Sequence, residues 1–317
     1  MRALVCDTEP RLVTDRAEPA RGAAEALIRM RVAGICDTDL ALARGYMGFR
    51  GVLGHEFVGE VLEASDESLR GKRVVADINA GCGVCAECLA RGGHHCRERT
   101  VLGIVGRDGA LAERLALPER CLVPVPDAVP DDQAVFAEPL AAALHAIDEV
   151  PPGAAPVVVL GDGKLGLLVA RAALSTGVRT IVVGHHEAKL ALARAAGAEG
   201  MLESDARAAL SSVPFVVEAT GSASGLSLAL ALVRPRGTVV LKTTVAGATT
   251  VDLSPVVVNE LRVIGSRCGD VARAVDALAK GRVDPRFLIA ARYPLARADE
   301  ALHRAAQRGV LKVLVEG

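Results

Sequence analysis

A chain of 317 residues carrying 37 basic and 38 acidic side chains, formal charge −1, has no electrostatic case for nucleic acid or an anionic membrane as partner. With no tryptophan and 2% aromatics, its core must be aliphatic and rich in alanine. The length suits about two domains; lacking a signal-peptide layout at Met1–Asp7 and any apolar run of about 18 residues, the chain reads as cytoplasmic.

From Met1 to about Val125, short β-rich runs alternate with glycine and polar turns, at 26–32, 56–62, 72–77 and 111–117. Their spacing predicts an irregular barrel or sandwich. Pro118, Pro124, Pro126 and Pro130 then punctuate a linker-like passage. Beyond Glu138 the texture changes. A helix over 139–147, opening on proline, precedes a strand at 157–160 and a helix over 165–174. Strands at 180–183, 200–202, 213–218, 237–241 and 262–264 follow, with helices over 187–196, 224–233 and 271–279. Such alternation predicts a doubly wound parallel sheet, an α/β fold. The chain ends on strand-like 290–294 and 311–316 around a helix over 297–306.

Between the strand at 157–160 and its helix stands Gly161-Asp162-Gly163-Lys164-Leu165-Gly166. Glycines at these three places allow a tight turn, close approach of backbone amides to a pyrophosphate, and close packing of helix on strand. The helix N-terminus adds free N–H groups and a positive dipole end. Thr220 and Thr243 follow later strand ends, where contacts to a dinucleotide gather.

Eight cysteines in a long chain without secretory features argue for metal rather than disulfides. Cys82, Cys85, Cys88 and Cys96 follow C-x2-C-x2-C-x7-C in a glycine-rich loop, the pattern of a closed four-thiolate zinc site that braces the loop. His94 and His95 beside them read as surface residues. A second, dispersed set holds Cys36, His55-Glu56 and Glu138. A thiolate, an imidazole and one or two carboxylates suit a zinc with an exchangeable position. Spacing alone leaves Cys36 open as a core residue and Glu138 as an acid complementing a helix dipole.

Taken in order, Gly34-Ile35-Cys36, Thr38-Asp39, Gly54-His55-Glu56, the four-cysteine loop, Ala137-Glu138-Pro139 and the glycine turn resemble the zinc-dependent medium-chain dehydrogenases. The resemblance covers nearly the whole chain. It implies a GroES-like β-rich catalytic domain over 1–137 and 288–317 around a Rossmann domain over 138–287, and two zinc ions per chain. Carried onto matching positions, Cys36, His55 and Glu138 bind a catalytic zinc. Glu56 is either a fourth, exchanging ligand or a carboxylate behind the ligands. The zinc lowers the pKa of a substrate hydroxyl while hydride passes to a nicotinamide. Thr38 takes the proton and Asp39 orients His55. Where the family carries a histidine to complete a proton relay, this chain has Leu40 and Ala41, leaving water or His145. Arg267 resembles a family position near the pyrophosphate. Glu138 in place of a cysteine matches the polyol and sugar dehydrogenases, so the implied substrate is an alcohol or polyol, or the matching carbonyl compound. A homodimer or homotetramer follows from family habit. The rivals are a zinc-free quinone or enoyl reductase relative, and a non-catalytic NAD(P)-binding sensor or structural protein.

The acid that binds the adenosine ribose belongs about 20 residues past the turn. There the chain has Gly184, 23 residues past Gly161, then His185, His186 and Lys189. Without an acid to repel a 2′-phosphate, the stretch points to NADP ahead of NAD.

Overall fold

A computed structural model describes residues 1–151, 156–244 and 249–317. They form two compact units, one of Met1–Glu138 with Val271–Gly317, the other of Pro139–Asp270.

The first unit is built on a seven-stranded sheet whose longest member is Glu25–Gly34. Ala26, Ile28, Met30 and Val32 turn inward while Arg29 and Arg31 face water, the two-residue period of a strand with one buried face. Antiparallel to it lie Glu56–Glu63, Arg114–Pro118 and Lys312–Glu316. The registers fix the chemistry: Gly34 stands opposite Glu56 on one side and Leu314 on the other. Three remote pieces of chain therefore end at one corner of the sheet. A three-stranded sheet of Pro10–Val13, Ala3–Cys6 and Gly51–Val52 completes the β-rich body. Leu4, Ile28, Ile35, Leu42, Leu53, Leu102, Leu111 and Leu117 are fully buried, each contributing roughly 1.5–3 kcal/mol of apolar burial.

The passage expected as a linker is part of this core. Leu122–Pro124 pairs with Arg73–Ala76, Asp131–Ala134 is a short helix, and Val125, Val129, Val135 and Phe136 are buried. Proline's fixed φ suits the edge strand and the turn as well as it suits a linker. The helix Val271–Ala279 belongs to this unit and packs on Asp131–Ala134 and Leu122–Pro124, so the return to the β-rich body begins at 271, earlier than 288.

In the second unit six parallel strands run in the order Glu199–Leu202, Thr180–Gly184, Val157–Leu160, Val213–Glu218, Val233–Leu241, Arg262–Gly265. This is the doubly wound sheet expected from the strand–helix alternation. Val157, Val158, Val159 and Leu160 are wholly buried, as a strand covered on both faces requires. The order reverses between Val157–Leu160 and Val213–Glu218, the place where α/β sheets bind ligands. The helix Glu203–Ala209 is an addition to the sequence expectation; of its seven residues only Ala206 is buried, too little for an apolar period.

Candidate functional site

The corner of the first unit's sheet gathers one set of groups. Cys36 leaves the strand two residues past Gly34 and caps the helix Asp37–Leu42. Asp39, in that helix's first turn and fully buried, reaches back to accept the Cys36 N–H at 2.8 Å and takes the Gly54 N–H at 3.1 Å. It thereby ties the loop that carries Gly54 and His55 to the loop that carries Cys36. His55 Nδ1 lies 3.2 Å from Asp39 Oδ1. Burial pushes the imidazolium's pKa down, but Asp39 and Cys36 outweigh it and hold it well above the usual histidine value. Burial also pushes Asp39 up, yet His55 and the two N–H donors keep it below the ordinary carboxylate range.

Donor atoms of Cys36, His55 and Glu56 lie within 4.8 Å of one another, a set able to hold a metal ion. The thiolate, imidazole and carboxylate suit zinc. Glu56 is 1% exposed and its Oε2 meets Lys312 Nζ at 2.5 Å. Lys312, 3% exposed, also reaches the Ile35 carbonyl at 3.4 Å and stands 5.8 Å from the Phe136 ring centre. Burial pulls the ammonium's pKa down, and Glu56 and Cys36 together raise it above the ordinary lysine value. A side chain at Gly34 would run into the Glu56 carboxylate, so glycine there leaves the room that Glu56 fills. Thr38, half-buried, has its hydroxyl 3.9 Å from Cys36 Sγ. Glu138, expected as a ligand, is the half-buried second residue of the helix Ala137–Ile147 and stands outside the close set. Lys312 escaped the sequence reading altogether.

Phe49 and Leu102 are buried in the first unit's core, whereas Met47 is 59% exposed. His145 is half exposed beside Asp148 at 3.5 Å, a solvated surface pair.

The four-cysteine loop closes on itself. Cys82, Cys85, Cys88 and Cys96 bring their sulfurs within 4.8 Å of one another, Cys82–Cys88 and Cys85–Cys96 at 3.8 Å, all as free thiols. The N–H groups of Val84 and Cys85 bring Cys82 to about 6, while Cys88, with the N–H of Gly83 opposed by burial and the other thiols, is pushed up to about 11. Four sulfurs so close cannot all ionise without a cation, and a divalent ion in tetrahedral sulfur coordination resolves that. His94 pairs with Asp77 at 2.6 Å, and neither His94 nor His95 joins the sulfur set.

In the second unit the glycine turn has the expected form. Gly161 has φ +113°, and a side chain there would strike the Ala219 carbonyl; one at Gly166 would strike that of Gly161. Around Gly163, which precedes the helix Lys164–Ser175, a side chain would meet nothing within 4 Å. Tight packing at two glycines and open space at the third make a cradle that fits a pyrophosphate, with Lys164 and Leu165 opening the helix behind it. Across the switch point, Glu218 ends its strand 2% exposed and accepts the Thr220 N–H at 2.8 Å and the hydroxyls of Thr220 and Thr243 at 2.6 and 2.8 Å. The two expected threonines are thus brought together by one carboxylate the sequence reading passed over. Lys242 donates to the Arg267 carbonyl at 2.5 Å.

Comparison with known proteins agrees with this geometry. Residues 22–127 match the alcohol dehydrogenase GroES-like domain and residues 165–280 the zinc-binding dehydrogenase domain. An L-threonine 3-dehydrogenase from Mesorhizobium japonicum is 32% identical over 240 residues, 72% of this chain and 70% of that protein. The chain belongs to the zinc-dependent medium-chain dehydrogenases, a family of NAD(P)-linked oxidoreductases. Among other L-threonine 3-dehydrogenases matched, the aligned share falls to 55% of the relative's length. A candidate zinc-binding dehydrogenase from Sinorhizobium meliloti 1021, solved bound to NADP, is 29% identical with TM-score 0.89 over 100% of this chain and 99% of that one. A protein from E. coli CFT073 described as a short chain alcohol dehydrogenase, solved with NADH, is 26% identical with TM-score 0.91 over 100% and 99%. Both coenzymes thus occur among structural neighbours. No helix among the described residues is long and apolar enough to cross a membrane.

Proposed function

We propose that this medium-chain dehydrogenase moves a hydride between an alcohol or polyol, or its carbonyl form, and NAD(P), with one catalytic and one structural zinc per chain. The first unit is the catalytic domain and the second the dinucleotide domain. The observation that carries the reading is the convergence of Cys36, His55 and Glu56 donors within 4.8 Å, with Asp39 behind the imidazole. Cys36 and His55 hold the catalytic ion with Glu56 or Glu138 as carboxylate donor. Zinc there supplies a Lewis acid that makes the substrate hydroxyl more acidic. Thr38 accepts the hydroxyl proton and passes it to water, since Leu40 and Ala41 offer no relay. Asp39 keeps His55 in one tautomer and one orientation. Cys82, Cys85, Cys88 and Cys96 hold the structural ion.

A carboxylate among the ligands makes the site harder and suits a substrate with a second polar group beside the hydroxyl, a polyol or a 3-hydroxy amino acid. L-Threonine belongs in the screen because the relatives named above act on it by their names. The edge strand Arg262–Gly265, largely exposed, and the exposed Leu253, Val257 and Val258 support a homodimer through this side of the sheet.

The test is a screen of alcohols, polyols, 3-hydroxy amino acids and aldehydes with each coenzyme, with zinc counted on the same preparation. Turnover that disappears on zinc removal while the coenzyme still binds is expected. Coenzyme binding with two zinc ions and no turnover on any of these would favour the non-catalytic reading instead.

A further inference from the structure

Asp162, between the first two glycines of the turn, is 6% exposed although it lies in a turn. Its Oδ2 accepts the backbone N–H groups of His185 and His186 at 2.9 and 2.7 Å, and His186 Nδ1 stands 3.0 Å away. These donors belong to the turn that follows the second strand, where family architecture puts the adenosine ribose. A side chain on Gly184 would come within 2.5 Å of Asp162 Cβ and Oδ2. The room that a strand-end acid would occupy is therefore filled by a carboxylate delivered from the turn after the neighbouring strand. Lys189 adds to the attraction, and together with the N–H groups and His186 it outweighs burial and holds Asp162 below the ordinary carboxylate range.

We propose that Asp162 decides the coenzyme: its carboxylate takes the part of the missing strand-end acid, and the chain uses NAD(H) in preference to NADP(H). The inference deepens the dehydrogenase reading and rests on its dinucleotide site. His185 and His186 stand where the sequence shows no acid to repel a 2′-phosphate. Both imidazoles face carboxylates instead: His186 faces Asp162, and His185 Nε2 meets Glu203 Oε2 at 3.0 Å. The two N–H groups of the turn that could cradle an anion already donate to Asp162. A phosphate dianion brought here meets two carboxylates with their donors engaged. A 2′-hydroxyl needs only an acceptor, and Asp162 Oδ1, approached by His186 Nδ1 at 3.2 Å, retains lone pairs for it.

Titration of the zinc-loaded protein with NADH and with NADPH, followed by nicotinamide fluorescence and without substrate, tests this. The wild type should bind NADH at least about tenfold more tightly than NADPH, and Asp162→Asn should narrow the ratio about tenfold, chiefly by tightening NADPH. Glu203→Gln, on a separate helix, should shift the ratio the same way by a smaller factor, and it keeps the test open if Asp162→Asn does not fold. A wild-type preference for NADPH overturns the proposal. So does an Asp162→Asn variant that weakens both coenzymes equally, since a merely structural brace moves both constants and not their ratio. Selective NADH binding without turnover on any alcohol would leave this inference standing and reject the dehydrogenase reading.

Discussion

Lys312 and Glu56 form a buried ion pair 256 residues apart in sequence. Each is nearly inaccessible to water, so each depends on the other for its charge. Removing one partner of such a pair costs about 3–5 kcal/mol, because the remaining charge is left without compensation in a low-dielectric place. Lys312→Ala should therefore lower the unfolding free energy of the zinc-free protein by about 3 kcal/mol in urea titration. A loss well under 1 kcal/mol would show that Glu56 finds another partner. The same pair bears on the metal, since Lys312 grips one oxygen of a carboxylate that belongs to the metal-capable set. Asp39 works through His55: Asp39→Asn keeps the shape and removes the charge behind the ring. Zinc affinity at the catalytic site, read by chelator competition, should fall about 10- to 100-fold, with the four-cysteine site unaffected. Equal loss from both sites would mean that Asp39 supports the fold and not the ligand.

Strand ends decide which of these residues meet. Gly34 opposite Glu56, and Leu314 opposite Gly34, are ladder pairings that a change of register by one residue would undo. The glycine turn, the cysteine spacing and the strand–helix alternation were legible because each is a local pattern, complete within a few tens of residues. Lys312 was not legible, since nothing near it in sequence marks it as the partner of Glu56. Asp162 and Glu218 were in plain view, one inside the turn and one at a strand end, but their meaning lies in the N–H and hydroxyl groups that folding aims at them. The proline-rich passage misled for a similar reason, because proline marks an edge strand and a linker alike. At this scale the edge strand Arg262–Gly265 and the helix Ser254–Val258 make the oligomer testable. Val257 and Val258 are 77% and 78% exposed, and paired charges there disfavour association. The double substitution Val257→Asp, Val258→Asp should convert a dimer to monomer in light scattering after size exclusion, with the helical and sheet circular dichroism retained. An unchanged mass would place the contact elsewhere.

Over the whole molecule, the two units carry different chemistry on different architectures: antiparallel strands that set metal donors at a sheet corner, and parallel strands whose carboxyl ends shape turns for a dinucleotide. The four-cysteine loop supports only the first of these, so loss of its ion should destabilise that unit without removing the catalytic donors. The account stands or falls on the donors Cys36, His55 and Glu56 holding an ion of their own. Zinc per chain, measured by elemental analysis on the wild type and on Cys36→Ser, with NADH binding followed on the same samples, tests it most directly. Two ions in the wild type, one in the variant, intact NADH binding in both and alcohol oxidation only in the wild type are predicted. A Cys36→Ser protein that keeps two zinc ions and its turnover would contradict it.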